Sequence, residues 1–406
     1  MRTLILIFIL LYSFTNTFSQ EKTFKDEQID STINAFKTKW RIPGISVAIA
    51  KGGKLLYAKG FGYADTITKE PVTVNSLFRI ASCSKTITAI GILKLIQDKK
   101  LNIDDTVFGI KGILNDSIYT NINDGRIKNI TVRNLLQQTI GWNTNDVVGD
   151  NVASYALKTP YPSKPADIIR YNLQKELDFS PAAAFRYANF NYLVLGEIIK
   201  KVTGRSYEAY ISSEILQPIG VNTAKTGKTK AEDKSINEVH YYDSDPGLQT
   251  SVFDTTKLVP FSYGGFYLET MYASGGWIAR PIDLIKIMLS LDETNTSPGI
   301  LNQETIKLMT TVPDSINSHY AMGLFVNGNK RYHSGELTWG TSALLFKDDN
   351  DICFAVTCNT LFTSKGTDEE MFRAMVAYVK AMHKVIPEAL KNIEVYPDIN
   401  LFDKYE

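Results

Sequence analysis

The chain has 406 residues, 44 of them Lys or Arg and 43 Asp or Glu, for a formal net charge of +1. That balance provides no overall basic surface for a polyanion, so nucleic acid is not an expected partner. With 44% apolar and 21% charged residues the composition is globular, and the length suits one large domain or two ordinary ones.

Met1-Arg2-Thr3 precedes an apolar run from Leu4 to Leu11, and the small polar residues Ser13, Thr15, Thr17 and Ser19 follow. A basic start, a short apolar stretch and a polar exit predict a secretory signal peptide over 1–19, cleaved near Ser19-Gln20. The run is too short to cross a bilayer stably. The expected mature protein is exported, periplasmic or secreted, with no stable membrane span. Its cysteines are Cys83, Cys353 and Cys358. Cys353 and Cys358 are five apart in one apolar run, so on a strand they face opposite sides. No disulfide framework is expected. His240, His319, His333 and His383 are scattered and no Cys/His group has zinc spacing, so no metal site or cofactor is expected.

Glu27 to Trp40 has Ile29, Ile33, Phe36 and Trp40 at helical spacing. Pro43-Gly44 ends it. Ile45–Ala50 and Leu55–Tyr63 read as two strands around the turn Lys51-Gly52-Gly53-Lys54. Phe78 to Lys100 carries Ser82-Cys83-Ser84-Lys85 near its start and continues as a helix through Ile96. Ile130–Leu136 reads as a short helix, Ala166–Leu177 as another, and Tyr192–Val202 as a third, stopped by Thr203-Gly204. Tyr207–Leu216 is helical by pattern, and residues 222–263 are polar and turn-rich. Pro281–Leu291 reads as a helix. Tyr320–Asn327, Arg331–His333, Thr341–Phe346 and Ile352–Cys358 read as strands, and Glu369–His383 as a final helix. Strands at both ends with helices between predict an α+β fold. Its antiparallel sheet is built from N- and C-terminal strands, flanked by helices, and carries a largely helical insertion. The expected organisation is one catalytic domain over about 20–390, with its sheet part near 20–80 and 281–390, the insertion near 81–280, and a tail at 391–406.

Three stretches carry chemistry. Ser82 and Lys85 are three apart, so on a helix the hydroxyl and the amine share a face. A serine nucleophile with an adjacent base requires that arrangement; a helix N-cap is the other use of such a serine. Tyr187-Ala188-Asn189 puts two polar groups at the entrance of an apolar helix, as a proton-transfer pair or as a core tyrosine with an asparagine cap. His333-Ser334-Gly335 lies on a strand, and its small residues would let a substrate approach the strand edge. Lys225-Thr226-Gly227 sits in a polar, charged run and reads as solvated surface. Gly227-Lys228-Thr229 lacks the upstream glycine of a phosphate loop. Cys83, beside Ser82, reads as a small buried residue.

In this order the three stretches resemble the serine β-lactamase and penicillin-recognising family. The branch resembled is the class C β-lactamase-like group, which also holds D-Ala-D-Ala peptidases, D-aminopeptidases and esterases. Pro43-Gly44-Ile45-Ser46, Leu195-Gly196-Glu197, Pro218-Ile219-Gly220 and Ser274-Gly275-Gly276-Trp277 add to the resemblance, which covers roughly residues 27–385. It implies that Ser82 is acylated, that Lys85 and Tyr187 share proton transfer, and that Asn189 contacts the substrate amide. It further implies that His333-Ser334-Gly335 stands in for Lys-Thr-Gly, and that the backbone N–H groups of Ser82 and Glu336 form an oxyanion hole. Histidine in place of lysine removes a fixed cation at pH 7, and Glu336 adds a negative charge; both disfavour anionic substrates. Gln137-Gln138-Thr139-Ile140-Gly141, where relatives often carry His-Thr-Ser-Gly, reads as structural. The Tyr-rich stretch with Tyr241, Tyr242, Tyr263, Phe266, Tyr267 and Tyr272 reads as core packing that could lend a few rings to a pocket.

The function implied is an exported serine hydrolase that cleaves an ester or amide of a small-molecule or peptide substrate through an acyl-enzyme on Ser82. A β-lactamase or penicillin-binding D-Ala-D-Ala carboxypeptidase is the alternative. A non-catalytic binding or assembly protein retaining the fold is the alternative of another class.

Overall fold

The computed structural model describes residues 24–391 except 144–146, 244–246, 293–298, 314–315, 317–318, 338–339 and 365, together with 393 and 404. The expected signal peptide and most of the tail therefore lie outside the described residues.

In chain order the strands are β1 (Gly44–Lys51), β2 (Lys54–Asp65), β3 (Glu70–Pro71), β4 (Phe78–Arg79), β5 (Lys225–Thr226), β6 (Leu248–Thr250), β7 (Leu258–Pro260), β8 (Trp277–Ala279), β9 (Phe325–Asn327), β10 (Lys330–Leu337), β11 (Thr341–Lys347) and β12 (Ile352–Cys358). Seven of them form one sheet in the order β3-β2-β1-β12-β11-β10-β9. All its pairings are antiparallel. The two ends of the chain thus meet at β1 and β12, where Ile45 lies opposite Cys358 and Lys51 opposite Ile352. The β1–β2 turn places Gly52 and Gly53 at φ +57° and +75°, the left-handed pair that a tight hairpin with the natural strand twist requires.

The helices are α1 (Phe24–Lys39), α2 (Ser84–Gln97), α3 (Val132–Leu136), α4 (Val152–Leu157), α5 (Pro165–Leu173), α6 (Asn189–Thr203), α7 (Tyr207–Ile211), α8 (Pro281–Leu289), α9 (Gln303–Thr310) and α10 (Asp368–Ala389). Period-2 alternation sorts the sheet residues between two cores. Ile45, Val47 and Ile49 pack with Leu344, Phe354 and Val356 beneath α1 and α10. Ala48 and Ala50, with Ala343, Leu345, Cys353 and Ala355, face the larger core that holds α2, α6 and α8. Each fully buried aliphatic side chain in these cores contributes about 1.5–3 kcal/mol. Cys353 and Cys358 fall in different cores, and all three cysteines are buried and free. Among the described residues no helix is long and apolar enough to cross a membrane.

Several boundaries differ from the sequence expectation. Only Phe325–Asn327 of the 320–327 run is strand, because Gly323 turns the chain at φ +76° and leaves Tyr320 with an isolated bridge to Phe325. The 207–216 helix keeps α-geometry only to Ile211 and then widens into a π turn, Ser212–Leu216. Helix α10 continues past His383 and through Pro387, since Ile386, Ala389 and Leu390 are all buried against α1. The Gln28 amide also donates to the carbonyls of Ala389 and Lys391 at its end. Lys225-Thr226 is not bare solvated surface but the short strand β5, paired with β8.

Candidate active site

Strand β4 delivers the chain to Ser82. Phe78 and Arg79 pair with Ala279 and Ile278, and the Ile80 N–H donates to the Trp277 carbonyl at 2.9 Å. The chain then turns sharply at Ala81, fully buried with φ +46°. A left-handed non-glycine residue costs of order 1–3 kcal/mol and persists only where its surroundings fix it. The 3₁₀ turn Ala81–Cys83 runs straight into α2. Ser82 does not cap that helix: the N-cap position is Cys83, and no side chain caps it. The first two turns of α2 are buried on every side, so its polar side chains find partners inside the protein. Ser84 Oγ accepts from the Trp277 N–H at 3.2 Å, while Thr86 and Thr88 donate to the carbonyls of Gly323 and Ala273 at 2.7 and 2.6 Å. The bonds to Ala273 and Trp277 pin the 273–277 segment against the helix.

That pinning gives Lys85 its environment. Lys85 is fully buried, and its Nζ lies 3.1 Å from Ser82 Oγ, 2.6 Å from Asn189 Oδ1 and 2.7 Å from the Ser274 carbonyl. Asn189 Oδ1 and the Ser274 carbonyl can only accept, so the amine donates to both. Its third tetrahedral position then faces Ser82 Oγ, as a lone pair when neutral or an N–H when charged. The Tyr187 ring sits beside it, with Nζ 4.8 Å from the ring centroid. Burial holds the Tyr187 pKa well above the ordinary phenol value, and the neighbouring Ser82 only partly offsets that rise. At neutral pH Tyr187 is therefore a phenol, a proton donor. Tyr320 supports it from behind, edge-on at 5.9 Å and 87°, with its hydroxyl on Tyr192 at 3.2 Å.

The other wall is β10. Beyond Tyr332, among the described residues, β10 pairs only with β11 and leaves its outer edge toward Ser82. Gly335 touches the Ser82 turn: a Cβ there would stand 2.3 Å from the Ile80 carbonyl and 2.9 Å from the Ser82 nitrogen. The Cys83 thiol, pushed up in pKa by burial, donates to the His333 carbonyl at 3.2 Å. It is spent on packing, as the sequence suggested. His333 is 1% exposed and its Nδ1 donates to the Ser334 carbonyl at 2.5 Å. Burial, and then the Lys85 cation, lower its pKa to about 3, so the ring is neutral. It lies among Tyr187, Tyr320 and Phe325.

Glu336 departs from the expectation of a charge facing substrate. It sits opposite Ser342 in the β10–β11 register, and Ser342 Oγ bonds the Tyr378 hydroxyl of α10. Directly opposed residues share a face, so the Glu336 side chain points toward α10, away from the face that carries Gly335 and Ala81. Burial raises its pKa to about 7, only partly offset by the neighbouring Ser334 and by Lys85. Its backbone alone stays at the site edge.

The structure thus brings Ser82, Lys85, Tyr187 and Asn189 together, with His333 and Gly335 beside them. Sequence reasoning missed the Ser274 carbonyl, though Ser274-Gly275-Gly276-Trp277 was a visible motif. It also missed Tyr320, which no local pattern marks. The aromatic stretch goes elsewhere: Tyr241, Tyr263 and Phe266 surround the buried Arg79 guanidinium at 4.3, 5.6 and 5.9 Å, and the Tyr272 hydroxyl bonds Glu197. The Thr226 hydroxyl of the Lys-Thr-Gly in β5 donates to Glu208. Among the described residues no group of three or more His, Cys, Asp or Glu is placed to hold a metal.

Comparison with known proteins shows the family and the fold. The Beta-lactamase family profile matches residues 29–378. Protein flp of Staphylococcus aureus (strain N315) is 28% identical over 338 residues, 82% of this chain and 63% of its own length. Penicillin-binding protein 4* of Bacillus subtilis (strain 168) is 31% identical over 217 residues, 53% of this chain and 44% of its own. The chain thus spans less than two thirds of the curated relatives it matches. Among solved structures, the octameric penicillin-binding protein homologue from Pyrococcus abyssi superposes with a TM-score of 0.64 at 26% identity, covering 88% of this chain and 77% of the other. The D-amino acid amidase from Ochrobactrum anthropi SV3, complexed with L-phenylalanine amide, gives 0.68 at 22%, covering 92% and 100%; at that identity the likeness is one of fold.

Proposed function

Because the chain belongs to the beta-lactamase family, in which it is an enzyme of serine-hydrolase type, we propose that it hydrolyses an ester or amide through an acyl-enzyme on Ser82. The single observation that carries this reading is the Lys85 amine, oriented by Asn189 and the Ser274 carbonyl with its third position on Ser82 Oγ. Ser82 Oγ attacks the carbonyl carbon and its proton passes to Lys85. The resulting oxyanion sits between the N–H groups of Ser82 and Glu336, which Gly335 allows to approach. When the tetrahedral adduct collapses, the bond to the leaving oxygen or nitrogen breaks and Tyr187 supplies its proton, replenished from Lys85. The high Tyr187 pKa suits that donor role better than a resting phenolate base. Water then enters, and the same groups return the serine.

The neutral His333 bears on substrate. It offers no fixed cation to a carboxylate, which favours an ester or a D-amino-acid amide or peptide over an anionic β-lactam. Export, read from residues 1–19, belongs to the same proposal. The test is a substrate panel of p-nitrophenyl esters, D-amino-acid amides, D-Ala-D-Ala peptides and nitrocefin, run on wild type and Ser82→Ala. Turnover of an ester or D-amino-acid amide by the wild type, lost in Ser82→Ala, is expected. Full activity in Ser82→Ala would overturn the mechanism, and efficient nitrocefin turnover would overturn the substrate assignment.

A further inference from the structure

Tyr187 and Asn189 are brought to Ser82 by an irregular segment that no helix or strand holds: regular structure resumes only at Asn189, the first residue of α6. Something else must fix it. The turn after α3, Gln137–Gly141, runs alongside and presents a row of acceptors. The Phe179 N–H donates to the Gly141 carbonyl at 3.1 Å and the Ala182 N–H to the Thr139 carbonyl at 2.8 Å. The next two acceptors both belong to Gln138. Its backbone carbonyl accepts from the Arg186 N–H at 2.8 Å, and its side-chain Oε1 accepts from the Ala188 N–H at 3.0 Å. Oε1 also accepts from the Asn191 amide, in the first turn of α6.

We propose that Gln138 is a positioning residue for the proton-transfer machinery: it clamps the backbone on both sides of Tyr187, with its carbonyl on residue 186 and its amide oxygen on residues 188 and 191. Two features of the residue fit that duty. Gln138 is fully buried, so its acceptors have no solvent alternative. It also sits at φ +62°, a left-handed conformation that a glutamine holds only when its surroundings over-determine it. That backbone turn points carbonyl and side chain toward the same segment. Leu136, two residues earlier, adds its carbonyl to the Tyr192 hydroxyl at 3.1 Å, and Tyr192 in turn meets Tyr320 behind the Tyr187 ring. The turn therefore supports Tyr187 through its backbone and through its ring.

The inference rests on the proposed role of Tyr187, and its test separates the two. Gln138→Met keeps volume and removes the acceptor. It is combined with Tyr187→Phe in a double-mutant cycle, with kcat measured per active site after titration by a fluorophosphonate. Gln138→Met is expected to lower kcat about 10- to 100-fold, as an ångström-scale displacement of a proton-transfer group does, with a smaller change in KM. In the Tyr187→Phe background the same substitution should cost at least about threefold less, the remaining loss coming from Asn189, which the bonds to residues 188 and 191 also flank. Equal losses in both backgrounds would overturn the proposal. Should the Met variant not fold, Gln138→His carries the cycle instead: an imidazole nitrogen can accept one of the two side-chain bonds, so an intermediate, Tyr187-dependent loss is expected, and a Tyr187-independent one contradicts the clamp. If Tyr187→Phe by itself leaves kcat unchanged, the role given to Tyr187 fails, and this inference with it. If Tyr187→Phe is impaired but the Gln138 loss is additive, only the clamp fails.

Discussion

Glu336 shows how much of a residue's meaning depends on the face it takes. From sequence it reads as a negative charge beside Ser82; the register turns its side chain toward α10. Burial raises its pKa to about 7, against an ordinary value of 4.5. Between about pH 4.5 and 7 the folded protein keeps a proton that the unfolded chain has released. The folded state binds more protons in that window, so stability falls as pH rises through it. Glu336→Gln should therefore be more stable than wild type at pH 8, by on the order of 1–3 kcal/mol, with little difference at pH 4. Urea midpoints at the two pH values check this, and an equal change at both would mean that ionisation is not the cause. The residues legible in the sequence are those whose chemistry is carried by spacing. Ser82 and Lys85 sit one turn apart, and their meeting at 3.1 Å follows from helix geometry. Ser274 acts through its carbonyl, and any residue type has one, so the visible Ser274-Gly275-Gly276-Trp277 motif marks the turn and not that role.

Among the elements, β10 matters most, because one strand supplies His333 beside Tyr187 and Gly335 against the Ser82 turn. Its close approach to the Ala81–Cys83 turn tolerates no side chain at 335, where a Cβ would meet backbone atoms that cannot rotate aside. Gly335→Ala should separate β10 from Ser82 and lower kcat/KM by about 10²-fold or more, with circular dichroism unchanged. Activity within threefold of wild type would show that the strand does not set the oxyanion geometry. The element pattern was legible where periodicity is strong: β12 matches its expected bounds, Ile352–Cys358, to the residue. It was not legible where tertiary contacts overrule local signals. Pro387 should stop α10, yet apolar Ile386, Ala389 and Leu390 find burial against α1 and carry the helix past it. β5 has only two residues, and its pairing with β8 is a long-range event that a polar, lysine-rich run does not advertise.

At the scale of the molecule, the sheet is assembled from both chain ends, so β1 must find β12 across more than 300 residues before either is shielded. The hairpin signals at each end made that antiparallel sheet readable, because each end carries its own alternation. The path between them was less readable. The segment that carries Tyr187 and leads into α6 at Asn189 has no secondary structure of its own and takes its place from the turn after α3, a contact between residues some 50 apart. The whole arrangement serves one claim, that Ser82 is a nucleophile activated by Lys85 inside this fold. The most direct measurement is peptide mass spectrometry of the intact chain after incubation with a fluorophosphonate, beside Lys85→Met and Ser82→Ala. The account predicts a stoichiometric adduct on the peptide containing Ser82, slowed at least 100-fold in Lys85→Met and absent in Ser82→Ala. An unmodified Ser82 in folded wild-type protein, or an adduct formed equally fast without Lys85, would contradict it.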